Sequence, residues 1–175
     1  MKRLLLVIDY QKDFVDGSLG FPGARALEGP IVERIREYRE RGDEVIFTLD
    51  THGADYAQTR EGKALPIPHC QKGSGGWRLF GEIEALSEGA PRFEKETFGS
   101  AWLFHHLEGQ GYASIELCGL VSSICVLSNA VLALTAQPNT PVLVDARLTA
   151  AADPALHEKA LDILENLQVQ VIGRS

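Results

Sequence analysis

The residues with the most chemical promise lie in and around "LCGLVSSICVLSNAVLAL" at positions 117–134. An apolar, strand-like run ends at Gly119 and a nearly all-apolar, helix-like run follows, with Cys125 near the start of that helix. Taken alone, a cysteine among apolar neighbours is a small hydrophobe filling space, and Cys118, inside the strand, fits that description. Cys125 is placed differently. Counted from a helix start near Val121 or Ser122, it falls in the first turn, where free backbone N–H groups and the helix dipole favour a thiolate. The same N–H groups can hold the oxyanion formed when a carbonyl is attacked. The stretch "CVLSNAV" offers no arginine to clamp a phosphate, which argues against a cysteine phosphatase.

A nucleophilic thiol needs a proton acceptor and a stabilising charge. Asp9 and Lys95 can supply both, the carboxylate taking the thiol proton and the ammonium favouring the charged forms beside it. Each also has a plainer use, Asp9 as a turn or cap residue and Lys95 as a solvated surface lysine. A second constellation is "LDTH" at 49–52 with "EGKALPIPHC" at 61–70. Asp50, His52, Glu61 and His69 make two imidazoles and two carboxylates, a set suited to zinc, iron or manganese with positions left for water or substrate. Solvated loop histidines are the alternative. His105, His106 and His157 fall on predicted helices without partners and read as surface residues.

Strands alternating with helices must position these groups. Apolar runs rich in β-branched residues occur at 3–9, 44–50, 114–120, 140–146 and 169–173, with a weaker one, "PRFEKE", at 91–96. Helical spacing marks 28–42, 77–86, 100–111, 122–136 and 153–167, the last opening on Asp153 as N-cap and Pro154 at the first helical position. This alternation implies a parallel sheet covered on both faces. Asp9, Asp50, Lys95 and Gly119 then close four successive strands, with Cys125 just beyond. In open α/β sheets ligands bind past the carboxyl ends of the strands, where strand order reverses, so one rim receives two carboxylates, an ammonium and a thiol. The longest irregular segment, 51–76, carries part of the histidine–carboxylate set, and a loop of that length is more often functional than idle.

The 175 residues suggest one domain over 1–175, 45% hydrophobic and 23% charged, with a net charge of −7. That acidic balance, with no basic patch, disfavours nucleic acid and anionic membrane as partners. The N-terminal apolar run stops at Asp9, too short for a signal peptide, and no stretch is long enough to span a bilayer, so the expected location is cytoplasmic. Three cysteines at irregular spacing form neither a disulfide framework nor a zinc ribbon.

The order "VIDYQKDF" (7–14), "DTH" (50–52), "PHC" (68–70), "FEKETFGSAW" (93–102) and "CGLVSSICV" (118–126) resembles the isochorismatase-like cysteine hydrolases, most of all their nicotinamidase branch, essentially from end to end. The resemblance implies a single-domain, three-layer αβα Rossmann-like fold with a six-stranded parallel sheet, and a catalytic triad of Asp9, Lys95 and Cys125. It implies a cis peptide between Leu120 and Val121, with the N–H groups of Val121 and Cys125 forming the oxyanion hole. The metal ligands would be Asp50, His52 and His69, joined by Glu61, holding a divalent ion, zinc before iron or manganese. Several nicotinamidases stack an aromatic residue on the substrate ring at a position that "LPIPH" (65–69) leaves without one. Phe14 and Val121 are therefore the expected substrate contacts, with Phe98 or Trp102 assisting. The implied reaction takes a small amide, nicotinamide foremost, to its acid and ammonia through a cysteine thioester, in NAD salvage and in a homo-oligomer. Hydrolysis of another amide, ureido or carbamoyl compound is the first alternative, and a non-catalytic binding module on the same fold the second.

Overall fold

In the computed structural model, which describes residues 1–174, all six apolar runs become strands. They are β1 (Leu4–Ile8), β2 (Glu44–Asp50), β3 (Arg92–Lys95), β4 (Ile115–Leu120), β5 (Val142–Ala150) and β6 (Gln170–Ile172). All neighbours pair in parallel, in the order β3-β2-β1-β4-β5-β6. The chain builds outward from β1 to β3, then crosses to the other side of β1 to lay down β4. Strand order therefore reverses between β1 and β4, and the crevice beyond their carboxyl ends is the expected ligand site.

The strands are continuous apolar runs because both faces are covered. Every residue of β1 is buried. Leu5, Val7 and Phe47 face α3 (Glu28–Glu40) through Ile31 and Ile35. Leu4, Leu6 and Ile8 face the other layer, where α6 (Ala101–Leu107), α7 (Leu127–Ala136) and α8 (Pro154–Asn166) contribute Leu103, Ala130, Leu161 and Leu164. Each fully buried aliphatic side chain is worth about 1.5–3 kcal/mol, so the sheet is an unyielding platform for whatever its strand ends carry. Ser100 and Asp153 cap α6 and α8 with their own side chains, accepting from Leu103 N and Ala155 N. Shorter helices fill the connections: α1 (Lys12–Val15), α2 (Pro22–Arg25), α4 (Arg60–Ala64) and α5 (Glu82–Leu86). No helix among the described residues is long and apolar enough to cross a membrane.

Two segments depart from the sequence reading. The helix expected over 77–86 is confined to α5, because Gly81 sits at φ +57 and residues 77–80 form a turn and bend that end in an isolated bridge between Leu79 and Gln11. That piece is held from a distance: Phe80 N donates to Tyr10 O at 2.8 Å and Lys12 N to Arg78 O at 2.9 Å. The loop 51–76 is partly ordered by a 3₁₀ turn (Tyr56–Gln58) and by α4, whose N-cap Thr59 accepts from Gly62 N.

One glycine is required where strand order reverses. Gly119 pairs with Ile8 at φ +105, and a Cβ there would lie 2.0 Å from the Ile8 carbonyl oxygen. Gly119→Ala is expected to force β1 and β4 apart beside Asp9, lowering stability by about 1–3 kcal/mol through backbone strain alone. Thermal unfolding checks this, and an unchanged melting temperature would contradict the tight approach.

Candidate active site

The end of β1 is a sharp one. Asp9 follows at φ +45, unusual for a residue other than glycine, and its side chain is completely buried. Thr48 Oγ1, on the neighbouring strand, donates to Asp9 Oδ1 at 2.6 Å. Asp9 Oδ2 lies 2.6 Å from Lys95 Nζ as an ion pair, yet has no aligned hydrogen-bond donor. Lys95 is the last residue of β3, in register with Asp50 at the end of β2. Its ammonium also sits 3.2 Å from Asp50 Oδ1, donates to Thr97 O at 3.0 Å and stands 3.5 Å from Cys125 Sγ. Far from being a solvated surface lysine, Lys95 is only 5% exposed.

Cys125 reaches this cluster through a wide turn rather than the first turn of an α-helix. The Leu120–Val121 peptide is cis, Ser122–Val126 form a π-helical turn, and α7 begins only at Leu127. Val126 N donates back five residues to Val121 O at 3.2 Å; π-turns of this kind recur at functional sites. Cys118 lies fully buried within β4, and burial pushes its thiol well up.

Electrostatics refine the expectation that Lys95 maintains a thiolate. Burial, reinforced by the Asp9 charge, holds the Cys125 thiol well above its ordinary range, with Lys95 pulling the other way. Burial also raises the Asp9 carboxyl, against Lys95 and with help from the Asp50 charge. Burial opposes the Lys95 charge, but Asp9, Cys125 and Asp50 together hold its pKa above the usual value. These directions favour the neutral thiol over the thiolate at Cys125. Passing its proton to Asp9 replaces a carboxylate by a thiolate beside the same ammonium, so the cluster's net charge does not change and no new charge is desolvated. The arrangement can generate a sulfur nucleophile on demand.

Asp50 is shared between two groups of residues. Its Oδ1 faces Lys95, while its Oδ2 lies 2.8 Å from His52 Nε2 and 3.4 Å from His69 Nε2. Glu61 Oε1, from α4, is 3.8 Å and 3.6 Å from the same two nitrogens. The four donor atoms lie within 4.8 Å of one another. His69 Nδ1 is 2.8 Å from Ile67 O, which ties up that nitrogen as a donor and leaves Nε2 with its lone pair toward the group. Two imidazole nitrogens and two carboxylate oxygens in a largely buried cluster suit a divalent cation. Asp50, with Lys95 and both histidines as partners, has its carboxyl held well below the usual range despite burial.

A cavity of about 450 Å³ opens over both groups. Cys125, Asp50, Glu61 and His69 line it, and Phe14, Val121, Phe98, Leu65 and Ile124 give it apolar walls. The Phe14 ring is 5.5 Å from that of His69. Trp102 does not line that cavity: it is 70% exposed and lines a second cleft, together with Thr97, Lys95 and His52. His157 is no bare surface residue, since its Nδ1 lies 3.0 Å from Oγ of the buried Ser122 in the π-turn. His106 is half-buried against Phe93, and His105 pairs with Glu108.

Sequence reasoning passed over Gln11. Buried just past Asp9, it donates through Nε2 to Asp50 O and Trp77 O and accepts from Asp50 N, at 2.8–2.9 Å, so it pins the Asp50 backbone. A glutamine two residues after a strand-ending carboxylate was the available signal.

Comparison with known proteins follows the same lines. A family model described as "Isochorismatase domain" matches residues 3–175. A crystal structure of a nicotinamidase/pyrazinamidase, PncA, from Bacillus subtilis superposes with a TM-score of 0.87 at 30% identity, covering 98% of this chain and 99% of that one. The nicotinamidase/pyrazinamidase of Mycobacterium tuberculosis is 25% identical across 99% of this chain and 100% of its own length. An N-carbamoylsarcosine amidase from Thermoplasma acidophilum superposes at 0.80 with 27% identity, over 98% of this chain and 95% of its own.

Lys95→Met tests the electrostatics. With the ammonium gone, the Cys125 pKa rises further, so alkylation slows near neutral pH and its rate profile moves to higher pH. Asp9 and Asp50 would be left without their buried cation, at a cost of about 3–5 kcal/mol, so melting curves must accompany the kinetics. An unmoved alkylation profile in folded variant would contradict the assignment. Cys118→Ala is the contrast: a stability loss of about 1 kcal/mol from the small cavity, with Cys125 alkylation unaltered.

Proposed function

The chain belongs to the isochorismatase family and is a hydrolase acting on amide C–N bonds, and we propose that its substrate is nicotinamide, taken to nicotinate and ammonia through a thioester on Cys125. The observation that carries this reading is Lys95 Nζ at 2.6 Å from Asp9 and 3.5 Å from Cys125, with Cys125 opening into a cavity that Asp50, Glu61 and His69 also line. The full-length likeness to nicotinamidases supports the substrate.

Asp9 and Cys125 move the protons and electrons. Asp9 Oδ2, the oxygen without an aligned donor, accepts the thiol proton as Sγ attacks the amide carbon. The carbonyl oxygen, now an oxyanion, takes hydrogen bonds from the N–H groups of Val121 and Cys125. Collapse breaks the C–N bond as Asp9 returns its proton to the departing nitrogen, and ammonia leaves a thioester. Asp9 then deprotonates a water that attacks the thioester, and the sulfur departs with the proton that Asp9 gives back. Lys95 stays protonated throughout and balances whichever neighbour is the anion. Asp50, His52, Glu61 and His69 would hold a divalent ion, zinc first, which when bound supplies a Lewis-acid anchor for the ring nitrogen. Phe14 and Phe98 face the ring from the apolar walls.

One observation favours a second reading. Leu65, the first residue of "LPIPH", lines the cavity where a stacking ring would stand, and the likeness to an N-carbamoylsarcosine amidase points to a ureido or carbamoyl compound.

An ammonia-release screen over nicotinamide, pyrazinamide and N-carbamoyl amino acids separates the two, with nicotinamide expected to be fastest. Faster release from the carbamoyl compounds would reverse the order. Cys125→Ala should lower turnover by about ten-thousand-fold or more while the melting temperature barely moves. Chelation, followed by metal analysis, should strip nicotinamide turnover yet leave Cys125 alkylation intact, because the ion orients substrate whereas Asp9 and Lys95 act on the thiol. Turnover that survives complete removal of metal would rule that role out.

A further inference from the structure

Asn129 occupies the third position of α7, inside a helix, where asparagine is a mediocre choice because its short amide competes with the backbone for hydrogen bonds. It is completely buried. Its Oδ1 accepts from Ser100 N at 3.0 Å, while its Nδ2 donates to Phe98 O at 3.1 Å and to Cys125 O at 2.8 Å. One N–H and two carbonyls admit a single orientation of the amide.

These bonds close a ring around the nucleophile. The segment 96–100 leaves Lys95 and turns back toward the π-turn. At its start, Lys95 Nζ donates to Thr97 O and stands 3.5 Å from Cys125 Sγ. At its far end, Asn129 fastens Phe98 and Ser100 to the Cys125 carbonyl. Gly99, between them, packs against α7 so closely that a Cβ would meet Leu132 Cδ1 at 2.8 Å. Phe98 is a wall of the cavity into which Cys125 opens.

We propose that Asn129 is a positioning residue for hydrolysis: its amide clips the backbone of Cys125 to the Phe98 wall and so holds the thiol in register with bound substrate. This rests on the reading of the chain as a Cys125 amidohydrolase. Packing alone holds the two segments near each other. The amide sets their offset, and misplacement of reacting atoms by about 1 Å is enough to slow a reaction a hundredfold.

The test compares kcat and KM for the amide that the wild-type chain hydrolyses fastest with the rate at which iodoacetamide alkylates Cys125, on full-length protein. Alkylation by a small reagent needs the thiol but not the wall. Asn129→Ala is expected to lose about tenfold or more in kcat, with alkylation within about twofold of wild type. Asn129→Asp keeps the acceptor for Ser100 N–H but sets an oxygen against two carbonyls, and should be at least as slow. Asn129→Ser, whose hydroxyl can donate to the carbonyl four residues back, should recover part of kcat, and it decides the matter if the alanine variant fails to fold. A kcat within twofold of wild type in the alanine or the aspartate variant overturns the proposal, as does alkylation that falls in step with kcat. If the alanine variant fails to fold, a serine variant with kcat as low as that of the aspartate variant, and so with no rescue, also overturns it. A wild-type chain that hydrolyses none of the amides overturns the functional reading itself and this role with it, whereas brisk wild-type turnover with an unaffected variant overturns only the role of Asn129.

Discussion

The ammonium of Lys95, held among Asp9, Asp50, the Thr97 carbonyl and the Cys125 thiol, is the interaction on which the rest of the site depends. Each of its partners arrives from a different strand end or from the turn beyond one. An unpaired carboxylate at this depth would take up a proton or draw in water. With the cation present, Asp9 can be an anion in a water-poor place and still be basic enough to accept a proton from sulfur. The parallel sheet makes the meeting possible, because parallel strands deliver all their carboxyl ends to one rim.

Asp50 ties this cluster to the histidine–carboxylate group. Its two oxygens face opposite ways, one to Lys95 and one to His52 and His69, and Gln11 prevents its backbone from shifting. A donor set suited to a cation on one side and the Lys95–Asp9–Cys125 cluster on the other thus meet at the same side chain, yet each has its own supporting partners.

Much of this was legible from residue order. Asp9, Asp50 and Lys95 stood out because apolar runs announce strands and each of these residues ends one, and the strand-order rule then brings such ends together. Asp50, His52, Glu61 and His69 were legible as donor types, although their mutual distances were not. Burial depth was hidden, and with it the resting state of Cys125: spacing shows a lysine and a helix start, whereas the thiol's environment depends on walls brought in by Phe98 and Ile124. Gln11 and Asn129 escaped notice because a buried amide looks like any other polar residue until its partners are known. The segment 77–81 read as helix because its spacing is helical, but contacts with Tyr10 and Lys12, far off in sequence, hold it in a turn and bend.

β3 has only four residues and is hydrogen-bonded on one side alone, at the border of the sheet. Such margins fray first and invite strands from other molecules to dock. Lys95 is therefore mounted on one of the two border strands of the sheet. Its ion pairs with Asp9 and Asp50 act as a latch: peeling β3 away would drag a charge out from between two carboxylates and leave both exposed to a wet interior. The contacts of the Lys95 ammonium thus also fasten an open margin of the sheet, so the charge beside the thiol doubles as a seal against strand addition.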